Sequence, residues 1–126
     1  MPHITVDYSE SLTEAFDRRG FALALHPLAA KIISTTPGAC KTYFRRMEEI
    51  VVAGGEPEHA VIRIEAAILS GRTPETKTEL SEAVMDLVRQ YLAATPQLSV
   101  QTSVNVLDLD RTWYRSDTVD RTEGTV

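Results

Sequence analysis

The chain has little of what would staple it, load it with metal or carry it into a membrane. One cysteine, Cys40, among 126 residues leaves no partner for an internal disulfide and fits a reducing compartment. Three histidines (His3, His26 and His59) are dispersed, and with one cysteine they form no metal-ligand spacing, so no metal is expected. Gly54-Gly55 is too sparse for a phosphate loop and reads as a hairpin turn, and no other motif implies a cofactor. Thirteen Lys and Arg against 18 Asp and Glu give a net charge of -5, without the basic face of a nucleic-acid binder. No segment has the layout of a signal peptide, and the apolar runs are too short to span a bilayer. The expectation is a cytoplasmic protein without a nucleic-acid or membrane partner, whose anionic ligand is held by local cations.

What is present is ordinary for a globular chain: 43% hydrophobic and 25% charged residues, enough for one core in one domain over 1–126. Residues 3–8 alternate, with Ile4 and Val6 opposite His3, Thr5 and Asp7, as a half-buried strand does. Ser11-Leu12-Thr13-Glu14 has the capping-box pattern of a helix start. Phe21, Leu25, Leu28, Ala29 and Ile32 follow at helical spacing, with a break or kink expected at Gly20 and Pro27, and the helix ends before Thr35. A second strand is expected from Lys41 to Val52, then the turn at Gly54-Gly55-Glu56-Pro57. His59 to Ile68 reads as a third strand, apolar enough for burial on both faces. Thr73 and Pro74 suit the N-cap and first position of a helix whose stripe runs Leu80, Ala83, Val84, Leu87, Val88, Tyr91, Leu92. Leu98 to Leu109 is a fourth strand.

The order is β-α-β twice, as pseudo-repeats of about 1–57 and 58–110 with a tail at 111–126. The fold class is therefore α+β: a four-stranded, mainly parallel sheet with both helices on one face. The other face then needs a cover, and oligomerisation is the simplest one. In the polar tail, Trp113 and Tyr114 are candidates to anchor on a neighbouring subunit, and the end from Asp120 is expected to be mobile.

Four residues could carry chemistry. Methionine before a small residue is routinely trimmed, which would leave Pro2 as a terminal secondary amine. An apolar pocket and nearby cations would lower the pKa of that amine and free it as a base near pH 7. The plain alternative is that Pro2 merely begins a strand, where a missing N–H is cheap. Arg72, between Gly71 and a capped helix, could hold a carboxylate beside free backbone N–H groups, or be a surface arginine. Strand alternation puts Lys41 and Arg45 on one face with Arg46 opposite, to meet either an anionic ligand or the acids Glu48, Glu49 and Glu65. Cys40 lacks a recognisable base and reads as a small buried apolar residue. His3 packs or hydrogen-bonds.

Met-Pro-His opening a strand, two β-α-β units, and Ser70-Gly71-Arg72-Thr73-Pro74-Glu75-Thr76-Lys77 before an amphipathic helix together resemble the tautomerase superfamily. The Pro2-His3 start and the position of Arg72 are most similar to 5-carboxymethyl-2-hydroxymuconate isomerases. The likeness runs to about residue 95 and loosens through the last strand and tail. It implies a homotrimer whose sheets line a barrel, with Pro2 as catalytic base and Arg72 on a substrate carboxylate or keto group. Lys41 falls where those isomerases carry another substrate-binding arginine, and a lysine keeps the charge but loses the bidentate contact. Lys41 and Arg45 become further substrate ligands. The implied activity is a cofactor-independent isomerase of aromatic-compound catabolism. It would move a proton in an unsaturated 2-hydroxy or 2-oxo di- or tricarboxylic acid. Rival readings are a related dehalogenase or decarboxylase, or a non-catalytic trimeric binding protein.

Overall fold

A computed structural model describes residues 1–121. Strand β1 (His3–Ser9) leads through a short 3-10 turn (Glu10–Leu12) into helix α1 (Arg18–Ile32), and β2 (Lys41–Met47) closes the first unit. Strand β3 (His59–Leu69), helix α2 (Pro74–Tyr91) and β4 (Ser99–Leu109) repeat the order. All four strands form one sheet in the order β2-β1-β3-β4. The β1–β2 and β3–β4 pairs are parallel, as the β-α-β reading requires, and the central β1–β3 pair is antiparallel. Residues 48–58 carry no helix to return the chain to the other end of the sheet, so β3 starts where β2 stops and runs back. For the same reason Gly54-Gly55 does not close a hairpin: β2 and β3 are not neighbours, and the loop passes the end of β1.

Local boundaries depart from the sequence reading in three places. The capping-box residues sit in the 3-10 turn, and α1 is capped instead by Asp17, whose carboxylate accepts from Gly20 N at 3.0 Å. The helix runs through Pro27, which lacks the N–H that would bond back one turn, so the expected break does not divide it. Strand β2 stops at Met47, five residues short of Val52, because β1 ends opposite it at Ser9 and offers no further ladder. The start of α2 matches: Thr73 Oγ1 accepts from Thr76 N at 3.1 Å and Pro74 opens the helix.

Both helices cover one face of the sheet. Ile4 and Val6 of β1 and Ala60, Ile62, Ile64, Ala66 and Ile68 of β3 are buried there against Phe21, Leu25, Leu80, Val84 and Val88. Each large aliphatic side chain withdrawn in this way contributes about 1.5–3 kcal/mol. Strand β3 alternates and is not buried on both faces: its odd-numbered residues look away from the helices and stay partly or wholly exposed. That outer face is polar, carrying His3, Thr5, Asp7, Tyr43, Arg45, Arg63, Glu65 and, by register, Gln101, Ser103 and Asn105. The expected mobility of the end from Asp120 falls, for residues 122–126, outside the described residues.

Candidate active site

The ladder brings the N-terminus to one end of the sheet. His3 stands beside Lys41 on one side and Ala67 on the other, so Pro2 lies between the start of β2 and the end of β3. Pro2 is buried, and its carbonyl accepts from Lys41 N at 3.1 Å. The terminal amine of Met1 donates to Ala39 O at 3.0 Å, and the Lys41 ammonium reaches the same carbonyl at 3.1 Å. Burial, then the charge of Lys41 and more weakly that of Arg72, holds the terminal amine below its ordinary pKa. Three of the residues singled out from sequence, Pro2, Lys41 and Arg72, thus share one end of the fold.

Arg72 is placed by backbone. Gly71 before it adopts φ +115°, a conformation that disfavours any side chain, and this turns the chain out of β3 toward α2. The guanidinium donates to Leu69 O at 2.9 Å and to Ile33 O at 3.0 Å, tying the end of β3 to the end of α1. Those bonds occupy two of its five N–H groups and orient the rest. It does not lie on the free N–H groups of α2, as expected; it caps carbonyls instead. The cleft beside it, about 360 Å³, is lined by Ile32, Ile33, Ser34, Gly71, Thr76 and Arg111 as well. No carboxylate lines this cleft among the described residues.

Arg45 is not brought to this end. It lies four residues along β2 from Lys41, about 13 Å at the usual strand rise, and faces Asp7 in the parallel register. Its Nε and Nη2 reach the two Asp7 oxygens at 2.6 and 3.1 Å, and Arg63 Nη1 joins at 3.1 Å. None of the acids named as its plain partners from sequence takes that place. Strand alternation does put Lys41 and Arg45 on a common face, but it says nothing about a carboxylate from the neighbouring strand.

Two residues at this end of the fold were not candidates for chemistry from sequence. Arg111, just past β4, donates from Nε to Ser70 O at 2.8 Å and adds a second guanidinium to the cleft. Within its own chain the Tyr114 hydroxyl lies 3.0 Å from His3 Nε2 and 2.7 Å from Met1 Sδ. Trp113 beside it is 75% exposed. The only sequence signal for Tyr114 was an aromatic in an otherwise polar tail. Cys40 is buried, with its thiol pKa raised by that burial. Among the described residues no three His, Cys, Asp or Glu side chains gather as a metal site, and no helix is long and apolar enough to cross a membrane.

Pro2, Lys41 and Arg72 lie together at one end of a β-α-β repeat, and these are the residues the resemblance implied. The 5-carboxymethyl-2-hydroxymuconate isomerase family matches residues 2–119. The chain belongs to this family. It is accordingly an isomerase of tautomerase fold, a keto-enol proton-transfer enzyme. No curated protein matches it in sequence. Among solved structures, a 5-carboxymethyl-2-hydroxymuconate isomerase from Deinococcus radiodurans R1 is similar at TM-score 0.82 and 22% identity, over 94% of this chain and 90% of that one. A 5-carboxymethyl-2-hydroxymuconate delta-isomerase superposes at TM-score 0.68 and 15% identity, over 98% and 89%. A symmetric trimer of fused 4-OT does so at 0.70 and 20%, over 87% of each chain. At these identities the structural likeness speaks for the fold, and the family match carries the activity class.

Proposed function

We propose that the chain isomerises an unsaturated 2-hydroxy or 2-oxo di- or tricarboxylic acid, with Pro2 as the base once Met1 is removed. The observation that carries this reading is that the terminal amine and the Lys41 ammonium share the Ala39 carbonyl beside buried Pro2, with Arg72 acting more weakly on the same amine. The same burial and cations act on the proline nitrogen one residue on, and each disfavours its protonated form. A neutral secondary amine removes the proton from a dienol or from carbon, and returns it elsewhere along the conjugated system. Arg72, already oriented by two carbonyls, takes a substrate carboxylate with its remaining N–H groups. Lys41 supplies a point charge to a second carboxylate or to the dienolate, without the forked contact of an arginine. Arg45, neutralised by Asp7, is left out of this assignment.

A dehalogenase or decarboxylase on this fold needs a carboxylate to activate water, and the cleft at Arg72 is lined by none among the described residues. A homotrimer is part of the reading. It is supported by the trimeric structural relative and by the two outer strands, β2 and β4, whose outer edges pair with no strand among the described residues. A cytoplasmic setting and a role in aromatic-compound catabolism accompany it.

The test combines intact mass with ultraviolet assay of 2-hydroxymuconate ketonisation. The purified protein is expected to lack Met1, and Pro2→Ala to lower kcat/KM by about 10²-fold or more. A chain that keeps Met1 has an amide at Pro2 and no base. Either that result or full activity of Pro2→Ala overturns the reading.

A further inference from the structure

After β4 the chain turns at Asp110, whose carboxylate accepts from Thr112 N at 2.8 Å, and runs back over the N-terminal end of the sheet. Two contacts fasten it there. Arg111 holds the Ser70 carbonyl, and the Tyr114 hydroxyl meets His3 and Met1. His3 is bridged on its other side as well: Nδ1 lies 2.9 Å from the Tyr43 hydroxyl, and the two rings stack with centroids 5.7 Å apart. One imidazole therefore joins a tyrosine of β2 to a tyrosine of the tail.

Hydrogen-bond direction follows from the acceptors. A thioether sulfur only accepts, so the Tyr114 hydroxyl donates to Met1 Sδ and its oxygen accepts from His3 Nε2–H. In the neutral imidazole, Nδ1 is then unprotonated and accepts from the Tyr43 hydroxyl. Donation runs one way, from Tyr43 to His3 to Tyr114. This pattern requires a neutral imidazole; burial, with Lys41 and the terminal amine, lowers the pKa of His3 in that direction. Loss of Met1 removes the acceptor of the Tyr114 proton and leaves that donor directed into the space the Met1 side chain had filled.

We propose that Tyr114 is a catalytic residue of this site, donating its hydroxyl proton in a hydrogen bond to the enolate oxygen that forms as Pro2 takes the substrate proton. His3, fixed by Tyr43, is the positioning residue that aims it. The inference rests on the Pro2 reading. No covalent bond to Tyr114 forms or breaks: its hydrogen bond strengthens as negative charge gathers on the substrate oxygen, and it relaxes when the proton returns to carbon. The division of labour is chemical. Guanidinium and ammonium groups suit permanently charged carboxylates, whereas a neutral, pre-aimed hydroxyl favours the oxygen whose charge appears only in the transition state.

The experiment compares variants of the full chain, checked by mass for loss of Met1, on 2-hydroxymuconate. Tyr114→Phe keeps the ring and is expected to lower kcat about 10- to 100-fold with KM within about twofold. Trp113→Ala, on the same tail, is expected to leave both unchanged. His3→Phe should lose as much kcat as Tyr114→Phe, and His3→Gln, which offers one donor and one acceptor, should recover most of it. Wild-type kcat in Tyr114→Phe with Pro2→Ala inactive overturns the Tyr114 assignment alone. An equal loss in Trp113→Ala also overturns it, by reducing the tail to packing. A Pro2→Ala variant as active as wild type overturns the proline reading and this assignment with it.

Discussion

The two ends of the β1–β2 ladder carry similar charges to opposite effect. At the far end Asp7 is buried to 7% exposure and two arginines close on it, so the cluster is satisfied within the fold. At the near end Lys41 and Arg72 bond only to carbonyl oxygens, and no carboxylate answers them among the described residues. A cation matched inside the protein stabilises structure. A cation left with neutral partners keeps its field for a ligand, which in an acidic chain is the more telling arrangement. The lesson is that the sign of a residue marks neither site nor scaffold until its partner is known.

Four substitutions would sharpen or break this contrast. Arg72→Ala removes both the unpaired guanidinium and the tie between β3 and α1. It is expected to lower kcat/KM by about 10²- to 10³-fold in steady-state assay. Lys41→Gln is expected to raise KM about tenfold, by loss of a charge-assisted contact. It also shifts the pH profile in a defined direction. Lys41 disfavours the protonated amine, so its removal raises the amine pKa and moves the acid limb of kcat/KM to higher pH. A limb that moves down or stays put would detach Lys41 from the N-terminal nitrogen.

The far end should behave as scaffold. Asp7→Asn leaves Arg45 without its anion and Arg63 with Glu65 alone, but those side chains are 63% and 52% exposed and hydrate readily. Thermal or urea unfolding should show a loss of about 1 kcal/mol, with kcat/KM within about twofold of wild type. Arg45→Ala should change stability even less, again with activity within about twofold of wild type. A tenfold fall in kcat/KM for Arg45→Ala would restore it to the site and dissolve the contrast between the two ends.

Much of the fold was legible because it rests on local pattern. The alternation of Ile4 and Val6 with polar neighbours, the Thr73-Pro74 start and the stripe from Leu80 to Leu92 each report one period and one cap. The α1 start was misplaced because Ser11 and Glu14 fit a capping pattern that Asp17 wins by bonding Gly20 N. Pro2 and Arg72 stand out as candidates through short motifs. The pairing of Arg45 with Asp7 and the contact of Tyr114 with His3 were not legible, because each depends on a partner 38 or 111 residues away.

The sequence by itself determined the two β-α-β units, the buried face of β1, the helix cap at Thr73 and the chemistry available at Pro2 and Arg72. These follow from periodicity and residue type, which act over a few positions. Only the tertiary structure decided that β3 runs against β1, that Asp7 claims Arg45, and that the tail returns Tyr114 to His3. Those outcomes depend on which distant groups meet across the sheet, and a one-dimensional spacing does not encode that.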